Sequence, residues 1–488
     1  VALPPGNRAE RVSEGAGVPA TPAVLGVDLG TTEAKAGLIG LDGTLLGMGR
    51  GTYPMDLGPD GRAEQSPTDW WAAVGTAARA ALAGRSQARV LGVCGVGQGP
   101  TLAVVDAEAH PVRPAITWQD RRAGDGGFGL LPRMAWLATN EPGSIERARW
   151  LLTSWDALGL WLSGEAATTL QGHETALDPG SLEAAGVDPS RVPEALPIGA
   201  RLGTLRPAAA AAMGLEPGIP VIAGVNDGTA SILGAGLRVV GDAVDTGGTS
   251  GGLGIYAAAP ISLPGVFSAP APIPGRWVVG GAMAALGASL EWLRSHALAA
   301  SVAIDDLLRE AARVSPGAGG LLFLPYLAGE RAPVFDEAAR GAFVGLTLGH
   351  GRAHLARAVL EGAAFALRHV ATPIADAGAP IRELWLAGRA TPGDAWARIK
   401  ADALGLPVAI PSIGETSVVG AAILAAAGIG AVPGLEQGVA TMTSVARRIE
   451  PDPGARATYD AAFAVYADLY RALAPTMHAL SELSAGEW

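Results

Sequence analysis

The sequence predicts an α/β protein made of two similar halves, and three observations carry that prediction. At 488 residues the chain exceeds what one hydrophobic core usually serves. Short apolar runs of strand character are interspersed with Ala-rich stretches of helical character. A string of Asp, Gly and Thr between two apolar runs occurs twice, as Val27-Asp28-Leu29-Gly30-Thr31-Thr32 and as Val244-Asp245-Thr246-Gly247-Gly248-Thr249-Ser250. The expected division is a flexible leader over 1–20, a first domain over 21–238 and a second over 239–488.

Composition supports a folded core and excludes several function classes. Hydrophobic residues make up 49% and charged residues 17%, and the 69 Gly and 36 Pro are interleaved with apolar runs. That pattern implies tight turns and close backbone approaches, not low complexity. The net charge of −11 comes without a long basic run, so no nucleic-acid partner is expected. The single cysteine, Cys94, sits in the apolar run 90–94 and rules out both an intrachain disulfide framework and thiolate metal sites. The seven His lack zinc spacing. No apolar stretch of about 20 residues is present, and 1–20 lack the apolar segment of a signal peptide, so the expected location is cytoplasmic, with no membrane contact.

In chain order, 23–28 reads as a strand, 29–32 as a turn and 34–41 as a second strand. Asp42-Gly43 is a two-residue hairpin signal with a return strand over 44–48. Residues 70–83 read as helix, 90–96 and 102–105 as strands, and 135–162 as helical for much of its length. Residues 220–223 read as a strand and 229–236 as a small-residue helix.

A Gly/Thr turn between strands offers backbone N–H groups and hydroxyls to an anion, and two such turns facing one another could clamp a polyphosphate. Asp28 could orient water on a bound Mg²⁺. Each turn could equally be a simple hairpin. No Gly-x-x-x-x-Gly-Lys-Ser/Thr string occurs, which excludes a Walker-type site. Between the two turns, Asp227 follows a strand and precedes a helix. That position suits either a helix N-cap or a general base at a strand end.

Together these strings resemble the FGGY family of carbohydrate kinases. The most specific piece is Phe323-Leu324-Pro325-Tyr326-Leu327-Ala328-Gly329-Glu330-Arg331-Ala332-Pro333, continuing through 339–347 and 354–365. The resemblance spans roughly 23–428 and implies an actin-like, ribonuclease-H-like fold, with two similar domains and a nucleotide cleft between them. It implies ATP and Mg²⁺, and phosphorylation of a hydroxyl on a sugar, sugar acid or polyol. By motif, Asp28 becomes the Mg²⁺ residue acting through water, Gly30, Thr31 and Thr32 the first phosphate loop, and Gly247, Gly248, Thr249 and Ser250 the second. Asp227 becomes the catalytic base. Gly388, Arg389 and Ala390 occupy the adenosine segment, where relatives carry a Gly run. The stretch 353–367 is expected to be packed helix.

On the acceptor side, Gln98, Asp120, Asn226 and Asp227 are candidate hydroxyl ligands and Trp118 an apolar wall. Gly99-Pro100 replaces the Met-His of xylulokinases, Trp118-Gln119-Asp120-Arg121-Arg122 resembles glycerol kinases, and Asp227-Gly228 resembles gluconokinases. These signals point to three substrates, and on overall resemblance the first expectation is a pentulose such as xylulose. The alternatives are gluconate or a short polyol (glycerol, a tetritol or a pentitol), or a non-catalytic relative that only binds sugar or nucleotide. The resemblance also allows a homodimer.

Overall fold

A computed structural model describes residues 20–124, 129–169, 177–248, 250–298, 301–388 and 393–484. The expected leader falls almost wholly outside them, as do Thr249, Arg389 and Ala390.

The first sheet is formed by β1 (Thr21–Leu29), β2 (Glu33–Gly40), β3 (Leu45–Thr52), β4 (Ala88–Gly97), β5 (Arg201–Thr204) and β6 (Pro220–Ile222), in the spatial order β5-β6-β4-β1-β2-β3. β1 runs antiparallel to β2 and parallel to β4, and β4 runs parallel to β6. From Ala23 onward β1 is buried without alternation, the mark of a strand covered on both faces. One cover is α1 (Pro67–Leu82). It lies so close to β3 that a Cβ on Gly49 would fall 2.0 Å from the Ala77 carbonyl oxygen. Glycine in β3 thus serves a close approach, as the composition suggested.

Residues 135–162 depart from expectation. They hold α2 (Leu130–Asn140), α3 (Pro142–Arg147), a strand over Trp150–Thr153 and α4 (Ser154–Ser163). The strand pairs with Leu102–Val105 in a small side sheet. A four-residue buried strand cannot be told from buried helix by periodicity. The chain then reaches α5 (Asp227–Ala235).

The second sheet repeats the plan. It contains β7 (Asp242–Asp245), β8 (Gly252–Ala257), β9 (Phe267–Pro270), β10 (Trp277–Ala282), β11 (Glu383–Leu386), β12 (Val408–Pro411) and β13 (Val445–Ile449), in the order β9-β10-β8-β7-β11-β12-β13. As in the first sheet, the leading strand (β7) starts an antiparallel series on one side (β8, then β10) and a parallel series on the other (β11, then β12). The duplicated Asp-Gly-Thr string sits at the same topological place in both sheets, directly after the leading strand.

The longest helices of the second half are α6 (Arg352–Asp376), α7 (Gly393–Leu404), α8 (Thr416–Gly428) and α9 (Arg456–Ser484). Residues 356–367 of α6 are buried throughout, as expected of 353–367. α8 and α5 lie between the two sheets. One core cluster draws on Val24, Cys94 and Ile222 of the first sheet, Val244, Tyr256 and Trp385 of the second half, and both helices. α8 is apolar almost all round and buried from Thr416 to Ala426, as a helix enclosed by two sheets must be. The architecture is the two-domain, actin-like α/β fold, with the cleft bordered by the two repeated turns.

Candidate active site

Three strand ends converge at the C-terminal edge of the first sheet, where open α/β sheets bind ligands. Asp28 pairs in register with Val96 of β4 and with Lys35 of β2. The Gln98 N–H donates to the Leu29 carbonyl at 2.9 Å, and Gly97 bridges Asn226 in parallel register. Asp28, Gln98 and Asp227 thereby become neighbours although they are far apart in sequence.

Asp28 is buried. One oxygen, Oδ2, accepts from Ser417 Oγ at 2.6 Å and lies 3.6 Å from Lys35 Nζ. Oδ1 has no partner among the described residues. Burial pushes this carboxyl up, against the opposing pull of Lys35 and Ser417. Lys35 is 3.1 Å from Glu415, which also pairs with Arg50 of β3. Charges from the first sheet are in this way tied to the head of α8.

The first turn is held from several sides. The Gly30 carbonyl accepts from the Tyr53 hydroxyl, and its N–H donates to the Glu33 carbonyl at 3.1 Å. The Thr31 carbonyl accepts from Gln65 Nε2 at 2.6 Å, and the Thr31 hydroxyl from Trp118 Nε1 at 3.1 Å. Thr32 is exposed.

In the second turn, the Asp245 carboxylate takes the Gly247 N–H at 2.9 Å and Lys400 Nζ at 2.5 Å. Gly247 and Gly248 have φ of 58° and 83°. These are left-handed values that glycine adopts readily, in a turn of the kind whose backbone N–H groups can form an anion-binding concavity. A Cβ on Gly248 would meet nothing within 4 Å, so the space over the turn is open. The Ser250 carbonyl accepts from the Leu286 N–H at 2.7 Å.

The first turn of α8 joins the two phosphate-loop candidates. Ser417 bonds Asp28 of the first, while Thr416 Oγ1 accepts from the Gly388 N–H at 3.2 Å. Gly388 stands beside the second, its neighbour Ala387 donating to the Asp245 carbonyl at 2.9 Å.

Asp227 is the first residue of α5. The N-cap is not Asp227 but Asn226, whose Oδ1 accepts from the Thr229 N–H at 3.1 Å. Capping therefore does not account for the Asp227 carboxyl, whose Oδ1 takes the adjacent Gly228 N–H at 2.8 Å. Burial first and the nearby Asp28 charge second push it up to about 7.

The remaining acceptor-side candidates differ in how their polar atoms are engaged. Gln98 is buried and its Oε1 has no partner among the described residues. Trp118 is half-buried. The Asp120 carboxylate is occupied by the Ala63 N–H at 2.9 Å and by Arg122 Nη2 at 2.7 Å. Asn226 spends its Oδ1 on the α5 cap. Gly99 has a physical reason: a Cβ there would sit 2.7 Å from the Trp155 ring, which fills the space a side chain would need.

Sequence reasoning missed Gln65, Ser417, Thr416 and Lys400, because each acts through a partner distant in sequence. It also gave Glu330 no chemical role. Glu330 is buried. Oε1 accepts from the Ala284 and Arg331 N–H groups at 2.9 and 2.7 Å, and Oε2 has no partner among the described residues. Burial pushes this carboxyl up to about 7. A folded-state pKa above the unfolded value means the fold holds the proton, so ionisation removes stability as pH rises from about 4.5 to 7. Glu330→Gln should therefore be more stable than the parent by about 2–3 kcal/mol at pH 8 and equal to it near pH 4.5. Denaturant melts at both pH values check this, and equal gains at both would contradict it.

Among the described residues no cluster of three or more His, Cys, Asp or Glu could hold a metal by itself, and no helix is long and apolar enough to cross a membrane.

Comparison with known proteins agrees with this geometry. Residues 23–125 and 128–234 match the N-terminal domain of the FGGY family of carbohydrate kinases, and 243–429 match its C-terminal domain. A xylulose kinase of Lactococcus lactis is 32% identical over 388 residues, covering 71% of this chain and 75% of that protein. A gluconokinase of Bacillus licheniformis is 26% identical over 498 residues, covering 93% and 96%. The crystal structure of a xylulose kinase from Rhodospirillum rubrum superposes with a TM-score of 0.83 at 30% identity, covering 93% of this chain and all of that one. The chain belongs to the FGGY family of carbohydrate kinases and is an enzyme of the phosphotransferase class.

Proposed function

We propose that this kinase moves the γ-phosphoryl group of ATP to a hydroxyl of a small sugar, a pentulose such as xylulose before others, with Asp227 as general base. The observation that carries the reading is the first turn of α8, which bonds Asp28 of one phosphate loop and Gly388 beside the other, while Asp227 stands next to Asp28. The xylulose kinase relatives in sequence and structure favour a pentulose. Asp227-Gly228 and the gluconokinase relative favour gluconate as the second acceptor, with short polyols behind it.

The residues fit Mg²⁺. Asp28 presents a buried carboxylate oxygen without a partner among the described residues, and Mg²⁺ takes one or two carboxylates and keeps its waters. When bound, Mg²⁺ would neutralise charge on the transferring phosphate. The N–H of Gly248 and the hydroxyls of Thr31, Thr32 and Ser250 would hold the phosphates, with Gly247 shaping the turn while its own N–H serves Asp245. Thr249 on that loop, and Arg389 and Ala390 of the adenosine segment that begins at Gly388, lie outside the described residues.

Asp227 accepts the proton of the acceptor hydroxyl and aligns its oxygen. That oxygen bonds the γ-phosphorus as the bond to the β–γ bridging oxygen breaks. The transition state is loose, so alignment and charge placement supply most of the rate. Gln98, Asp120 and Asn226 line the acceptor side, with Trp118 as its wall.

A base held near 7 gives a stated pH dependence. The proton-accepting form is the ionised one, so kcat/KM should fall about tenfold per pH unit below roughly 7 and level off above it. A limb below pH 5.5 would remove Asp227 as the controlling group. The function itself is tested by a coupled ADP-release screen over pentuloses, pentitols, tetritols, aldonates and glycerol. Sugar-dependent ADP release is expected, fastest with a pentulose. Its absence across all classes, despite ATP binding, would overturn the reading.

A further inference from the structure

We infer that Thr31 is the junction through which acceptor and nucleotide sense one another, with Gln65 and Trp118 as the positioning residues that set it. The inference rests on the kinase reading above. It starts from hydrogen-bond direction. An indole N–H can only donate, and Trp70 Nε1 lies 3.0 Å from Gln65 Oε1. That assigns the Gln65 amide: its Oε1 accepts from Trp70 and from Gln98 Nε2 at 2.7 Å, and its Nε2 donates to the Thr31 carbonyl at 2.6 Å. Gln65 is buried, so this orientation has no competition from solvent. The chain Gln98–Gln65–Thr31 thus runs unbroken from the acceptor side to the first phosphate loop.

A second, separate bond meets it at the same residue. Trp118 Nε1, again a donor only, points at the Thr31 hydroxyl oxygen at 3.1 Å. Having accepted there, the Thr31 hydroxyl keeps its own proton to donate. A phosphate oxygen on the loop takes that proton and, by polarising the hydroxyl, strengthens the bond from Trp118. An acceptor molecule packed on the half-buried Trp118 ring holds the indole in place and so holds the hydroxyl oriented for the phosphate. The coupling is reciprocal, so each ligand tightens the other by the same factor.

The test measures the Kd of a non-hydrolysable ATP analogue with Mg²⁺ by calorimetry. Each variant is titrated with and without a saturating concentration of the acceptor that gives the fastest ADP release in the screen. The native chain should bind the analogue at least about 5-fold tighter with acceptor present. Trp118→Phe keeps the apolar ring and removes the N–H. Its ratio should fall about 3–10-fold, toward unity, and by the same linkage the acceptor should bind correspondingly weaker when the analogue is present. Should Trp118→Phe lose the acceptor outright, Thr31→Val and Thr31→Ser decide, because both leave the indole in place. Valine should abolish the ratio and serine should retain it. A native ratio of one, an unchanged ratio in Trp118→Phe, or equal ratios in the two Thr31 variants each overturn the inference while leaving the kinase reading intact. Failure of every acceptor class to stimulate ADP release would fail that reading instead.

Discussion

Asp227→Ala should slow phosphoryl transfer by roughly 10²–10⁴-fold, the range for loss of a positioned general base. The loss should fall on kcat, with the KM for ATP little changed, because the phosphate loops are built from other residues. The isosteric Asp227→Asn should be comparably slow and also more stable than the parent above pH 7. The reason is the cost of an ionised carboxylate placed in a buried site beside Asp28. A folded pKa near 7 against an ordinary value near 4 means stability is lost as pH rises between them. Solvent at the partly exposed edge of Asp227 screens the effect to about 1–2 kcal/mol. Asparagine keeps an oxygen for the Gly228 N–H and removes the charge. A variant that is both inactive and stabilised at pH 8 is the signature of a residue kept for chemistry. Near-normal turnover in Asp227→Ala would remove the base from the mechanism. An unstabilised Asp227→Asn would show that the charge is not strained in the fold.

What was legible in the sequence follows from how local the physics is. The two Asp-Gly-Thr turns were visible because a turn between strands is specified by the residues within it, and glycine at a left-handed position is a local requirement. Gly247 and Gly248 occupy that conformation, and the strand order around both turns repeats. Asp227 was visible only as an ambiguity. The cap reading failed because the adjacent Asn226 took the role, a choice decided by the geometry of one turn. Lys400, Ser417 and Gln65 carried no local signal, since their meaning lies in partners 155, 389 and 34 residues away. Trp155 explains Gly99, but only once both are placed in space. The strand over Trp150–Thr153 was hidden because three apolar residues and a threonine inside a helix-rich stretch have no period to betray them.

The same distance argument makes the crossing of α5 and α8 the most sensitive place in the fold. A Cβ on Gly420 would fall 1.9 Å from the Ala230 carbonyl oxygen, and one on Gly234 would fall 1.8 Å from that of Thr416. Each glycine thus faces the backbone of the other helix, and no flexible side chain stands between them to move aside. Adding a side chain must drive the helices apart, at about 3 kcal/mol or more, the upper end of overpacking costs. Gly420→Val should lower Tm by about 3–6 °C in a chain of this length. Activity should suffer beyond that, because the crossing sets the chemistry. Asp227 opens α5, and Thr416 and Ser417 open α8, so a wider crossing pulls Ser417 from Asp28 and Thr416 from Gly388. The surviving folded fraction should therefore show a kcat reduced at least about tenfold for the loss of one such contact to a charge. Gly199→Val is a comparison without the backbone clash, since its Cβ would meet only the end of the Leu424 side chain, at 3.7 Å, while its φ of 75° adds a backbone strain that Gly420, inside a helix, does not have. If Gly420→Val melts within 2 °C of the parent, or keeps full kcat while folded, the two helices do not hold the phosphate loops and the base in register.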